Sequence, residues 1–160
     1  MATIPWSTPS TATTTDPSAT ATPAAATAGT PDPSAGTPVV MASRFEITSR
    51  RHTVSMLRHA LRVRRALLTT PGALGVSLVA RPIRGEYWTL SGWTDRPALD
   101  GFVRSAEHRA AMRELGPTMA HSTFVFWTHD AAAQPPTWTE ARARVDAERS
   151  GPKPAPEPTA

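Results

Sequence analysis

The chain has 160 residues, of which 17 are basic and 13 acidic, for a formal net charge of +4, and it contains no cysteine. The missing thiol excludes disulfides, zinc–thiolate sites, iron–sulfur clusters and a cysteine nucleophile. All the basic residues but Lys153 are arginine. They are spread along the chain without a recognised nucleic-acid motif, so nucleic acid is not an expected partner.

Residues 1–38 are almost entirely Thr, Ala, Pro and Ser, with Trp6 the only large aromatic. Such a segment has too little apolar surface to offset the entropy of ordering it, and it reads as a disordered tail. No charged n-region followed by an apolar run opens the chain, and no stretch approaches the ~18 apolar residues of a membrane helix. The expected setting is therefore cytoplasmic, without a membrane. Residues 39–130 remain for one compact domain.

The first element is a strand over Val39–Ile47, with Val39, Met41, Ser43, Phe45 and Ile47 on one face at period two. A helix follows from Thr53, read as its N-cap, to about Thr69. Val54, Leu57, Leu61 and Leu68 form its apolar stripe, flanked by Met56, Ala60, Val63 and Leu67, with Arg58, Arg62 and Arg65 opposite. Pro71-Gly72 stops it. Ala73–Ala80 and Glu86–Trp93 are two further strands, and the short loop between them makes an antiparallel hairpin. Thr94 or Asp95 caps the next helix, which has Pro97 in its first turn and Leu99, Phe102 and Val103 inward. Ser105 opens a further helical piece bearing Met112 and Leu115. His121–His129 is the fourth strand, with Phe124 and Phe126 on one side and Val125 and Trp127 on the other. Residues 131–160 read as a linker, an amphipathic segment over Trp138–Arg149 lying on the surface or on a partner, and a disordered proline-rich tail.

The order β-α-β-β-α-β is the split βαβ arrangement of an α+β, ferredoxin-like fold: a four-stranded antiparallel sheet with its helices on one face. The second sheet face is then bare. Because the last strand is apolar on both sides, the expected cover is a second copy of the chain, a homodimer through the sheet face.

From Val39 to His129 the chain resembles the dimeric α/β-barrel superfamily, which includes antibiotic-biosynthesis monooxygenase domains and haem-degrading monooxygenases. The residues that carry the resemblance are Tyr87-Trp88-Thr89-Leu90-Ser91, Trp93, Asp95, Ala98-Leu99, Phe102, Ser105, His108 and Met112, with Pro71-Gly72-Ala73-Leu74-Gly75 entering the second strand. It implies paired subunits, each with a pocket between sheet and helices, and, in several oxygenases of this kind, no metal or flavin. The electron-rich substrate then reduces dioxygen itself, while the protein supplies desolvation, orientation and a base. The haem-degrading branch resembles a different pattern: where it carries an Asn, a second Trp and an axial His, this chain has Ser43, Phe102 and Met112. Haem is not expected.

His108 is the candidate base, since imidazole titrates near neutrality; packing against Trp93 is its ordinary alternative. Ser43 is a candidate hydrogen-bond donor to a substrate oxygen, and Trp93, Phe102 and Met112 candidate pocket walls. His121 and His129 mark strand ends, and His52 and His59 read as solvated surface among arginines. No histidine pair has metal-ligand spacing with a carboxylate, so neither metal nor cofactor is expected. Trp88 and Trp93 lie an odd number of residues apart and face opposite sides of the sheet, so at most one serves the pocket. Two functions fit: a monooxygenase-like protein acting on an aromatic or polyene-type small molecule, or a non-catalytic dimeric ligand-binding or accessory module of the same fold.

Overall fold

The computed structural model describes residues 1–9, 36–130 and 135–151. The strands are β1 (Ala2–Ser7), β2 (Val39–Ile47), β3 (Ala73–Arg81), β4 (Glu86–Trp93) and β5 (Met119–Thr128). The helices are α1 (Thr53–Leu68), α2 (Arg96–Val103), α3 (Ala106–Leu115) and α4 (Trp138–Ser150). All strand pairs are antiparallel, and the sheet order is β1-β3-β4-β2-β5. The last four strands are the expected ferredoxin-like set. No helix among the described residues is long and apolar enough to cross a membrane.

Local chemistry explains most boundaries. Asp95 caps α2, its carboxylate accepting from the Ala98 N–H at 2.7 Å, and Ser105 caps α3 by accepting from the His108 N–H at 3.2 Å. Gly72, at φ 81°, makes the left-handed turn into β3, where a Cβ would also meet Ala98 Cβ at 2.6 Å. Thr53 is the first helical residue of α1 and not its cap; His52 precedes it at the end of a short 3-10 turn. The Thr53 hydroxyl instead accepts from the Tyr87 hydroxyl at 3.1 Å.

Three further sequence expectations are corrected. The first is the tail: Ala2–Ser7 is a fifth strand on the β3 edge. Trp6 seats itself against Gly75 and Gly92, where an added Cβ would lie 2.4 Å and 3.2 Å from its ring. Polar composition over 38 residues masked a six-residue segment with Ile4 and Trp6 in it. The rest of the expected N-terminal tail, residues 10–35, lies outside the described residues, as does 152–160 of the C-terminal one.

The second concerns the sheet's other face. The amphipathic segment after β5 folds back as α4, and Ala141 and Val145 are buried against Val40, Ala42, Val79, Trp88, Leu90 and Trp127. Trp138 donates to the Ser77 hydroxyl at 2.9 Å, and Arg149 lies 2.9 Å from the Glu46 carboxylate. Helices therefore cover both faces, and the chain itself supplies the cover that was expected from a second copy. Apolar strands do require a cover; they do not say which chain provides it.

The third lies on α1. Met56, His59 and Leu67 are buried, whereas Val54 and Leu61 are 68% and 52% exposed. The inward stripe is thus Met56, Ala60, Val63 and Leu67, one residue round from the predicted one, and it carries His59 inward with it.

Candidate functional site

Between the α1–α3 layer and the sheet lies a cavity of about 520 Å³. Its floor is the face of β2 and β4 that carries Met41, Ser43, Phe45 and Thr89, and its roof includes Met56, Ala60 and Val63 of α1 and Met112 of α3. Phe124 and Phe126 of β5 line it while staying 43% and 45% exposed, so its outer side opens along that edge.

The antiparallel register decides which polar groups meet. Ser43 of β2 is directly opposite Thr89 of β4 and Phe124 of β5. The Ser43 and Thr89 hydroxyls hydrogen-bond to each other in a buried setting. Two hydroxyls joined by one hydrogen bond use one of their two O–H groups and keep the second.

His108 lines the cavity from the first turn of α3. Its ring packs on Phe102 with centroids 5.4 Å apart, and Phe102 packs in turn on Trp93 at 5.1 Å. His108 Nδ1 lies 3.1 Å from the Val103 carbonyl oxygen. A carbonyl only accepts, so Nδ1 carries the proton and, in the neutral ring, Nε2 carries the lone pair. Burial pushes the imidazole pKa below its ordinary value; the Val103 hydrogen bond acts the other way and does not cancel it. The ring is therefore neutral near pH 7, with a lone pair available.

Of the expected site residues, Ser43, Phe102, His108 and Met112 line one cavity. Trp93 is not among its lining residues. It is fully buried behind Phe102, its indole N–H donating to Ser91 Oγ at 3.1 Å, and supports the wall from behind. Trp88 and Trp127 belong to the core under α4, on the opposite face from Trp93.

Several cavity residues carry polar groups that the sequence did not single out as functional, among them Thr89, His59 and Arg64. Thr89 follows from the strand register, once β2 is placed beside β4. His59 is buried, with Nδ1 donating to the Ser55 carbonyl at 2.9 Å and Nε2 lying 2.8 Å from the Glu114 carboxylate, so it ties α1 to α3. Arg64 owes its setting to β1, which no local pattern announced. Among the described residues no group of three His, Asp or Glu side chains is placed to hold a metal ion.

Residues 40–114 match the family model described as antibiotic biosynthesis monooxygenase. Over that stretch the chain is similar to antibiotic biosynthesis monooxygenase domains. No curated protein matches the chain. The fold of this domain recurs in solved structures. A candidate antibiotic biosynthesis monooxygenase from Nitrosomonas europaea superposes with TM-score 0.56 at 10% identity, covering 62% of this chain and 96% of its own. SnoaB, a cofactor-independent oxygenase from Streptomyces nogalater, solved as a mutant, gives 0.52 at 15% identity, covering 62% and 100%. A candidate antibiotic biosynthesis monooxygenase from Caulobacter crescentus gives 0.54 at 17%, covering 59% and 92%. At these identities the likeness is one of fold, and what the site can do has to be argued from the chain's own residues.

Proposed function

We propose that the chain is a monooxygenase that oxidises an electron-rich aromatic or polyene-type small molecule within the cavity, without a bound metal or other cofactor. One observation carries the reading: an apolar cavity, open along the β5 edge and of a size usual for small-molecule sites, holds a neutral imidazole whose Nδ1 is already engaged. Removing a phenolic or activated C–H proton to His108 Nε2 makes a substrate anion that dioxygen can oxidise. The Ser43–Thr89 pair has one O–H to donate to the substrate oxygen where that negative charge collects. For a methylene flanked by aromatic rings, the four electrons that convert CH₂ to C=O reduce dioxygen. One oxygen atom enters the product, and the other leaves as water with the two hydrogens. Phe102 and Met112 hold the ring system, and the dry walls keep bulk water from the anion.

The test is oxygen uptake by the purified chain with a panel of anthrones and quinols. His108→Gln is expected to lower kcat by roughly a hundredfold or more while moving KM little. If no panel member is consumed faster than in buffer, the oxygenase reading fails, and a non-catalytic ligand-binding module of the same fold takes its place.

We also propose that the partner is a second copy joined along β5 and not across the sheet face that α4 covers. In support, β5 is a ten-residue edge strand without a Lys, Arg, Asp, Glu, Pro or Gly, and it exposes Phe124 and Phe126. Natural edge strands of that length are normally blunted by charge or proline. Two copies of β5 pair antiparallel about a twofold axis, which hides both phenylalanines. Light scattering should give a dimer for the wild type and a monomer for Phe124→Glu/Phe126→Glu. A monomeric wild type at tens of micromolar would remove the proposal.

A further inference from the structure

We propose that Arg64 is an anion-binding group of the cavity, so that the ligand is an aromatic carboxylic acid whose carboxylate sits at the β1 end. This names the substrate class of the oxygenase reading and rests on that reading for the reaction, though not for the binding. Arg64 lies on α1 and lines the cavity beside Val63. Its Nη2 donates to Ser7 Oγ of β1 at 2.8 Å, and its Nε is buried with no acceptor among the described residues.

The contrast with other arginines is informative. Arg44, Arg81, Arg96, Arg144 and Arg149 each lie within about 3.3 Å of a Glu or Asp oxygen. The Nε of Arg44 and of Arg142 is also buried without an acceptor, but neither residue lines the cavity; Arg64 does, held by a neutral hydroxyl and with no Asp or Glu in the lining. Arg64 is half-buried, and its Nε–H, shut off from water at the cavity wall, would gain an acceptor from an anion brought in by a ligand. A guanidinium suits a carboxylate because its fork offers two parallel N–H groups, of which the unpartnered Nε–H is one.

The layout gives such a ligand an orientation. The cavity reaches from Ala2 and Ile4 on β1 to Phe124 and Phe126 on β5, the full width of the sheet. Four strand spacings span about 19 Å, enough for a fused ring system carrying its acid at one end. With the carboxylate anchored by Arg64, next to β1, the ring system runs under α1 toward the residues of α3, where His108 stands.

The experiment compares anthraquinone-2-carboxylate with anthraquinone-2-carboxamide, two planar probes of nearly equal size, by quenching of tryptophan fluorescence in the full chain. Wild type is expected to bind the carboxylate about tenfold or more tightly at low salt, a preference that shrinks as salt rises. Arg64→Gln should equalise the two probes by weakening only the carboxylate, and Arg64→Lys should keep part of the preference. Ser7→Ala, which removes the β1 hydroxyl but not the charge, should leave most of it. Equal affinities in wild type, or an undiminished preference in Arg64→Gln, would overturn the proposal. Binding is read without turnover, so a carboxylate preference in a chain that consumes no oxygen sinks the oxygenase reading alone. Oxygen uptake without that preference sinks the role of Arg64 alone.

Discussion

His108 joins three levels of description, since the Ser105 cap starts its helix, Phe102 packs its ring and the Val103 carbonyl chooses its tautomer. Its lowered pKa also has a consequence for stability. Between the ordinary value of 6.5 and the lower folded value, the unfolded chain binds a proton that the folded chain does not. The contribution of the neutral ring is complete above about pH 6.5 and is lost as pH falls through the folded pKa. His108→Gln is therefore expected to flatten the decline in Tm between neutral and mildly acid pH, a difference that calorimetry at several pH values measures. An unchanged pH slope would place the ring in water. Ser43, Phe102, Met112 and His108 were legible as site candidates because period-two and helical spacing fix a side chain's face. The displacement of Trp93 from the lining was not, because a face contains both a wall and what stands behind it.

Among the elements, strand limits came closest to the sequence reading. Val39–Ile47 and Glu86–Trp93 are bounded as alternation implies, and Asp95 and Ser105 cap their helices as their side chains allow. Replacing Asp95 with Ala should cost about 1 kcal/mol, readable by urea denaturation. The stripe of α1 was misjudged because its apolar residues are too many to define one face: Val54 and Leu61 look as inward as Met56 and Val63 until the sheet is in place. The strand β1 makes a sharper test of how the elements depend on one another. Trp6→Ala removes the ring that fills the space over Gly75 and Gly92 and should cost roughly 2–4 kcal/mol. Gly75→Ala must displace that same ring, so the double variant should lose clearly less than the sum of the two singles in a denaturation cycle. Additive losses would mean that Trp6 and Gly75 do not share a contact.

At the scale of the molecule, α4 decides how the sheet is shielded. Ala141 and Val145 are wholly buried on it, and a charge at that depth has no partner. Val145→Asp should destabilise the chain by roughly 3 kcal/mol or more and shift tryptophan emission to the red as Trp88, Trp127 and Trp138 meet water. Unshifted emission would show that α4 is not the cover. The cavity on the other face should survive in this variant if the two cores are separable, and probe binding checks that directly.

The sequence by itself determined the split βαβ order, the antiparallel hairpin, the caps of α2 and α3 and the face on which Ser43, Phe102, His108 and Met112 fall, because each depends on residues close together in the chain. Only the tertiary structure decided that Ala2–Ser7 completes the sheet, that α4 covers its second face, and that Arg64 meets a serine and not a carboxylate. Those outcomes join segments tens of residues apart, and burial depends on which distant surface arrives, which composition and periodicity do not record.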